Sequence, residues 1–134
     1  MTKQEVTQLS YDIIGSAIKV HKKLGPGLLE SVYESCLKFE LEQNGFEVKN
    51  QIEINIKYEN HIVNTLLKVD LLVNDCVVVE LKTVEKLLPV HQAQLMTYMK
   101  LLEKPQGLLI NFYTDNITKS MVPLVNEYFK KLKE

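Results

Sequence analysis

The spacing of apolar residues predicts helices in the first third of the chain. From Val6 to Leu24, apolar side chains recur every three or four positions, as they do in an amphipathic helix, and Gly25-Pro26-Gly27 is expected to end it. A second stretch, from Leu28 to Asn44, has the same period, and Gly45 is placed to cap its end. We therefore expect two consecutive helices.

The period then changes to two, which predicts strands. Residues 48–56 alternate between apolar and polar side chains over much of their length, with a turn expected at Glu59-Asn60-His61. The apolar, β-branched runs Ile62–Val73 and Val77–Val84 follow, and Asn74-Asp75 between them is a turn sequence. The middle third should be an antiparallel meander.

The last third returns to helical spacing, interrupted by one strand. A third helix is predicted from about His91 to Glu103, and Gly107–Phe112 has the composition of a buried strand. After a short extended piece, the tail Met121–Glu134 is predicted to form a final amphipathic helix. Helices and strands together indicate an α/β fold.

Length and composition fit one soluble domain. A chain of 134 residues, of which 46% are hydrophobic and 25% charged, can bury one core, so we expect a single domain over residues 1–134. No apolar run approaches the roughly 18 residues of a membrane span. The start of the chain does not resemble a secretory signal, and a cytoplasmic location without membrane contact is expected.

Net charge and cysteine content limit the kinds of binding site that the chain is expected to carry. A net charge of -1 argues against coating nucleic acid by bulk electrostatics, so any contact with nucleic acid must be local. Cys36 and Cys76 have no neighbouring Cys or His at zinc-ligand spacing. Both are expected to be buried thiols.

One strand carries charged residues that its apolar composition does not explain. In Val77-Val78-Val79-Glu80-Leu81-Lys82, Glu80 and Lys82 are two residues apart and therefore share a face. Asp70 lies ten residues earlier, inside another apolar run on the neighbouring strand. The two carboxylates are expected to converge.

Converging carboxylates are oxygen ligands of the kind that Mg²⁺ or Mn²⁺ prefers, and a lysine beside them can act on a water or a phosphoryl group. The prediction depends on register. Asp70 and Glu80 share a face only if the hairpin has a three-residue loop or a bulge, whereas a tight two-residue turn at Asn74-Asp75 would separate them. The alternative is that Glu80 and Lys82 form the solvated face of an edge strand and Asp70 lies on the surface.

Several motifs together resemble a known family. Gly27-Leu28-Leu29-Glu30-Ser31-Val32-Tyr33 has the form GxxExxY, and it is followed by Asp70-Leu71-Leu72-Val73, Val79-Glu80-Leu81-Lys82 and His91-Gln92-Ala93-Gln94-Leu95. Over nearly its whole length the chain resembles the GxxExxY protein family of the PD-(D/E)XK nuclease superfamily. The resemblance implies a restriction-endonuclease-like core, with a central mixed β-sheet flanked by helices.

The same resemblance implies roles for individual residues. Asp70 and Glu80 would be the metal ligands, with the main-chain carbonyl of Leu81 as an additional ligand, and Lys82 would be the catalytic lysine. Glu30 resembles the acidic residue of the preceding helix. Gln94 and Tyr98 match a QxxxY element, and their spacing of four places them on one helical face, at the site or against the substrate backbone.

Simpler structural roles compete for three of these residues. Glu30 belongs at a helix N-terminus for electrostatic reasons alone. His91, at the start of the third helix, could cap it or contact substrate. Tyr33 lies on the apolar stripe of its helix and is expected in the core.

Two functions follow. The first is a metal-dependent nuclease that hydrolyses DNA or RNA through a metal-activated water, with Mg²⁺ or Mn²⁺ as cofactor. The second is a catalytically silent nuclease-fold module that binds nucleic acid or protein. Because the chain has no room for a separate recognition domain, specificity would come from loops, a homodimer or a protein partner.

Overall fold

The computed structural model describes residues 1–65 and 67–134. Two long helices open the chain, α1 (Lys3–Leu24) and α2 (Glu30–Gln43), and a third, α3 (Pro89–Leu102), follows the strands of the middle third. Thr2 caps α1 by accepting a hydrogen bond from the Glu5 N–H, and the Glu5 side chain accepts one from the Thr2 N–H. The three helices agree with the predicted ones to within a few residues.

A five-stranded mixed sheet forms the centre. Its order is β1-β4-β5-β6-β7, and a separate two-stranded ribbon consists of β2 and β3. The β5–β6 pair is parallel and is connected through α3, whereas the other neighbouring pairs are antiparallel. The strands are β1 (Val48–Glu53), β2 (Ile56–Tyr58), β3 (His61–Val63), β4 (Lys68–Val73), β5 (Val77–Lys82), β6 (Gln106–Asn111) and β7 (Met121–Val125).

Helices cover both faces of this sheet. Helices α1 and α2 pack on one face, where Tyr33 and Leu37 are fully buried beside Leu71 and Val79. Helix α3 packs on the other face through Leu95 and Met99. The arrangement is a mixed α/β sandwich, consistent with a restriction-endonuclease-like fold and with the fold class predicted from the sequence.

Two sequence predictions were wrong. The run Ile62–Val73 is not one strand: its start belongs to β3 in the ribbon, its end forms β4 in the central sheet, and Leu66 lies outside the described residues. The meander is therefore interrupted, because β4 pairs with β1 rather than with β3. Alternation of side chains predicts strands but does not identify their partners.

The predicted tail helix is replaced by an edge strand. Met121–Val125 forms β7, and only a short helix, α4 (Glu127–Lys130), follows it. Pro123 explains the difference, because proline disrupts a helix interior but is tolerated on an edge strand. Val122 and Leu124 pack against the α3 side of the core, which is the period of two that a strand produces.

No helix in the described part of the chain has both the length and the apolar character needed to cross a bilayer.

Candidate active site

The carboxylates of Asp70 and Glu80 form hydrogen bonds between β4 and β5. The Asp70 N–H donates to Glu80 Oε1 at 3.0 Å, and the Leu81 N–H donates to Asp70 Oδ2 at 2.8 Å. Each carboxylate thus accepts a main-chain hydrogen bond from the other strand. Regular strand pairing ends one step earlier, at Leu71↔Val79. The two side chains therefore replace the main-chain ladder where the strands separate.

The turn of this hairpin sets the register that brings the carboxylates together. Asn74 and Asp75 have φ values of 50° and 51°, and the Cys76 N–H donates to the Val73 carbonyl, so the turn itself is tight. Pairing nevertheless resumes at Val73↔Val77, with Cys76 as an extra residue. Because three residues separate the paired positions, the same register carried further aligns position 70 with position 80.

Side-chain alternation gives the three predicted residues a common face. Leu72 and Val78 belong to the core under α3, and Asp70, Glu80 and Lys82 lie at even spacings from them. Asp70 and Lys82 are half-buried, whereas the exposed fraction of Glu80 is 8%. The interpretation of Glu80 as a residue of a solvated edge strand is therefore wrong, because β5 is a central strand.

Burial dominates the electrostatics of the pair. Burial, together with the negative charge of Asp70, raises the pKa of Glu80 to about 8. The hydrogen bond from the Asp70 N–H and the positive charge of Lys82 act in the opposite direction and lower this pKa. Burial also raises the pKa of Asp70, and the Leu81 N–H and the Lys82 charge oppose that shift. A cation between the two carboxylates would favour their ionised forms, as Lys82 does.

The donor set suits a hard divalent cation. Within residues 1–65 and 67–134, no three His, Cys, Asp or Glu side chains are grouped closely enough to hold a metal. Mg²⁺, however, commonly takes one or two protein carboxylates and keeps several waters. The carboxylates of Asp70 and Glu80 offer oxygen atoms only, which are the ligands that hard divalent cations prefer.

Helix α2 contributes a second acidic group that the sequence reasoning missed. Glu30 is exposed at the helix start, and its charge contributes to the raised pKa of Glu80. Glu34, one turn later, is half-buried, and its pKa is raised mainly by burial and also by the charges of Asp70 and Glu30. The spacing of four from Glu30 was the available signal, since it places both carboxylates on one helical face.

Gln51 on β1 was also missed. Its Nε2 donates to Glu34 Oε1 at 2.5 Å and to Asp70 Oδ1 at 3.4 Å, so the amide lies between the helix and the hairpin. Its φ of 53° is left-handed, which is uncommon for a residue other than glycine. No sequence signal marked it, because glutamine is not a typical turn residue.

The three residues of α3 that the sequence singled out, His91, Gln94 and Tyr98, lie in different environments. Tyr98 is half-buried and packs on the α3 side of the core, and its pKa is raised by burial and by the charges of Glu80 and Asp70. Gln94 lies one turn earlier on the same helical face and is exposed. The Nδ1 atom of His91 accepts a hydrogen bond from the Leu88 N–H at 3.0 Å, so His91 has the predicted capping role.

Tyr33 lies in the core, as expected. It is fully buried and stacks on Phe112, and its hydroxyl donates to the Gly25 carbonyl and accepts from the Leu28 N–H. The tyrosine of the GxxExxY segment therefore fastens the turn before α2 and helps to place Glu30 and Glu34.

Asn111 braces the chain just after Lys82. It is buried at the end of β6, where its Oδ1 accepts from the Val84 N–H and its Nδ2 donates to the Val84 carbonyl. The Phe112 N–H donates to the Lys82 carbonyl at 2.8 Å. A polar residue at the end of the apolar run Gly107–Phe112 was the signal for this brace.

Comparison with known proteins adds one finding. The search of curated proteins and the search of solved structures find no match. The model of the PD-(D/E)XK nuclease superfamily matches residues 7–122, which include every site residue described above. That match spans most of the chain, and the fold and the D…ExK arrangement agree with it. The chain therefore belongs to the PD-(D/E)XK nuclease superfamily.

Proposed function

We propose that the chain is a Mg²⁺- or Mn²⁺-dependent nuclease that hydrolyses phosphodiester bonds of DNA or RNA. The observation that supports this most directly is the pair of hydrogen bonds that the Glu80 carboxylate accepts from the Asp70 N–H and the Asp70 carboxylate accepts from the Leu81 N–H, beside Lys82 on the same strand face. These hydrogen bonds orient both carboxylates, and the ligand would be held by Glu80 Oε2 and by Asp70 Oδ1, which also accepts the 3.4 Å hydrogen bond from Gln51. When bound, the metal supplies Lewis-acid activation of a water and of the phosphate.

The Leu81 carbonyl is the third proposed ligand. The Leu81 N–H donates toward β4, and the N–H and C=O of a strand residue point to the same neighbouring strand. The carbonyl therefore faces the region where Asp70 and Glu80 meet. It would add a neutral oxygen to the two carboxylates and complete a compact set of oxygen donors.

Lys82 is the proposed catalytic lysine. The positive charge of its ammonium group lowers the pKa of Asp70 and of Glu80, so Lys82 interacts electrostatically with both carboxylates. It would orient the attacking water and balance the charge that builds on the phosphoryl oxygens as the water oxygen bonds to phosphorus and the ester P–O bond breaks. Glu30, at the start of α2, would be an additional acidic residue of the catalytic site.

Helix α3 and the rest of the chain would supply the contacts with substrate. Tyr98 and Gln94 would touch the nucleic acid backbone, and His91 would add a contact through Nε2 while Nδ1 caps the helix. We propose that residues 1–134 act as one domain and that loops, a homodimer or a protein partner provide specificity. The GxxExxY family remains the proposed finer assignment.

A cleavage assay tests the function. Purified protein is incubated with single- and double-stranded DNA and RNA in Mg²⁺ or Mn²⁺, with and without chelator, beside Asp70→Asn and Lys82→Ala variants. Cleavage should disappear with chelator and with Asp70→Asn, which removes an anionic ligand. Lys82→Ala should keep the metal and lose most turnover, by roughly 10² to 10³-fold.

Matched controls use exposed residues of the same type. Asp115→Asn and Lys119→Ala change residues that lie in the loop before β7 and in the turn Ile117–Lys119, and both should cleave like the wild type. If the wild type binds metal but cuts none of the substrates, the silent binding module replaces this proposal. Equal cleavage by all variants would place the activity outside this site.

A further inference from the structure

Gln51 interrupts the pairing of β1 with β4 at the position of Asp70. The register passes from Asn50↔Leu71 to Ile52↔Val69 and omits the pair between them, Gln51 and Asp70. The left-handed φ of 53° at Gln51 accounts for the interruption, since extended pairing requires negative φ. No residue is inserted there, so the interruption is local and pairing resumes at once.

The Asp70 main chain faces β5, on the other side of β4 from Gln51. In regular pairing, the N–H of a strand residue donates to a neighbouring main-chain carbonyl. Here the Asp70 N–H donates to the Glu80 carboxylate at 3.0 Å. That contact lies on the β5 side of β4 and is separate from the interruption, so the link from Gln51 to Asp70 is made by the Gln51 side chain.

The Gln51 side chain acts on the same residue. Its Nε2 carries two N–H groups, and it lies between two acceptors, Glu34 Oε1 and Asp70 Oδ1. Asp70 is then contacted at both oxygens, because the Leu81 N–H donates to Oδ2. A neutral donor between two carboxylates also offsets their mutual repulsion without adding charge.

A left-handed glutamine in a strand is strained, and such strain is found where the surrounding structure and function require it. We propose that Gln51 is a positioning residue, which sets the orientation of Asp70 and links it to Glu34 so that the carboxylates can share one metal ion. This inference rests on the proposed function. Gln51 itself does not contact the metal or the substrate.

Replacing Gln51 separates its positioning role from its effect on stability. Gln51→Gly removes the amide and relieves the left-handed strain, so the folded state should be at least as stable as the wild type. The affinity for Mn²⁺, measured by calorimetry on the whole chain, should nevertheless fall about 10-fold, as for other residues that orient metal ligands. Gln51→Asn, which tolerates left-handed φ but has a shorter amide, should show the same loss.

Glu103→Gly is the matched control. Glu103 also has a left-handed φ, 57°, at the end of α3, away from the carboxylates. Its replacement should relieve comparable strain and leave the Mn²⁺ affinity unchanged. An unchanged affinity in both Gln51 variants would overturn the proposal, as would equal losses in Glu103→Gly.

A second readout does not depend on metal binding. The amide proton resonance of Leu81 reports its hydrogen bond to Asp70, and Gln51→Gly should shift that resonance and speed its exchange with solvent, with no change in Glu103→Gly. If the wild type binds Mn²⁺ but cleaves nothing, the proposed function fails while the affinities still decide the role of Gln51. If the wild type binds no Mn²⁺, the metal-positioning role is refuted, and a shifted Leu81 resonance would leave Gln51 a structural role only.

Discussion

The ring of Tyr33 stacks on the ring of Phe112, with centroids 4.4 Å apart and 15° between the planes. Tyr33 comes from α2 and Phe112 directly follows β6, so this contact packs the helix that carries Glu30 and Glu34 against the sheet. The Tyr33 hydroxyl extends the contact to the turn that precedes the helix. Tyr33 thus helps to hold the acidic helix in position, together with Leu37 and Leu41 of the same helix.

Tyr33→Phe should keep the stacking and lose both hydrogen bonds of the hydroxyl. Because the Gly25 carbonyl and the Leu28 N–H would lose their partner, we expect the free energy of unfolding to fall by about 1–3 kcal/mol. Urea denaturation measures the change. Tyr11→Phe, at a position that is 73% exposed, is the control and should change stability very little. Equal stability of the two variants would contradict the role of the hydroxyl.

Glu80 should make stability depend on pH. Its folded pKa of about 8 exceeds the ordinary value of 4.5, so between these values the folded state binds more protons than the unfolded state. The free energy of unfolding, measured in chelator, should therefore fall as pH rises from about 4.5 to 8, by on the order of 4 kcal/mol. Glu80→Gln should remove most of this fall and be the more stable protein at pH 8, whereas the smaller contributions of Asp70 and Glu34, whose pKa values are also raised, should remain.

The pKa of Glu5 is shifted in the opposite direction to that of Glu80, so its effect on the pH dependence of stability has the opposite sign. Hydrogen bonds with Thr2 lower the pKa of Glu5, so its contribution to stability is present above the ordinary pKa and is lost as pH falls. Glu5→Gln should therefore leave the fall between pH 4.5 and 8 intact. If Glu80→Gln retains that fall as well, another group is responsible for it.

Two glycines should respond in opposite ways to alanine. A Cβ at Gly107 on β6 would lie 2.5 Å from Met99 Sδ and 3.0 Å from Leu95 Cγ, so Gly107→Ala should force α3 away from the sheet and cost about 1–3 kcal/mol. Gly15, in the middle of α1, has nothing within 4 Å of the position that a Cβ would occupy, and Gly15→Ala should add about 0.5–1 kcal/mol. Thermal unfolding of both variants tests the close packing of α3.

Asn111→Ala should loosen the segment that follows Lys82. It removes the two hydrogen bonds with the Val84 main chain, so we expect a loss of about 1–3 kcal/mol in stability and faster amide exchange at Val84. If the chain is a nuclease, turnover should fall more than substrate affinity, since Lys82 would be less well placed. Asn116→Ala, at an exposed loop position, serves as the control. Unchanged exchange at Val84 would contradict the bracing role.

Local patterns predicted the first three helices, most strands and the convergence of Asp70 with Glu80, because amphipathic periods and a ten-residue spacing are properties of neighbouring sequence. The prediction of convergence depended on register, and Cys76 as an extra hairpin residue satisfied that condition. Long-range features were not accessible. The partner of β4 is β1 rather than β3, and Gln51 contacts Glu34 and Asp70, which are distant from it in sequence.

The β2–β3 ribbon is inserted between β1 and β4, which are neighbours in the central sheet. The pair Glu53↔Lys68 closes its base, so the strand that carries Asp70 is fixed by its partners in the sheet and not by the ribbon. Residues 56–63 can therefore be lengthened, shortened or replaced at little cost to the carboxylate geometry. Tyr58 and Ile62 are largely exposed on this ribbon. The β2–β3 ribbon can therefore vary in sequence and length, whereas the central sheet that positions Asp70, only a few residues away, cannot.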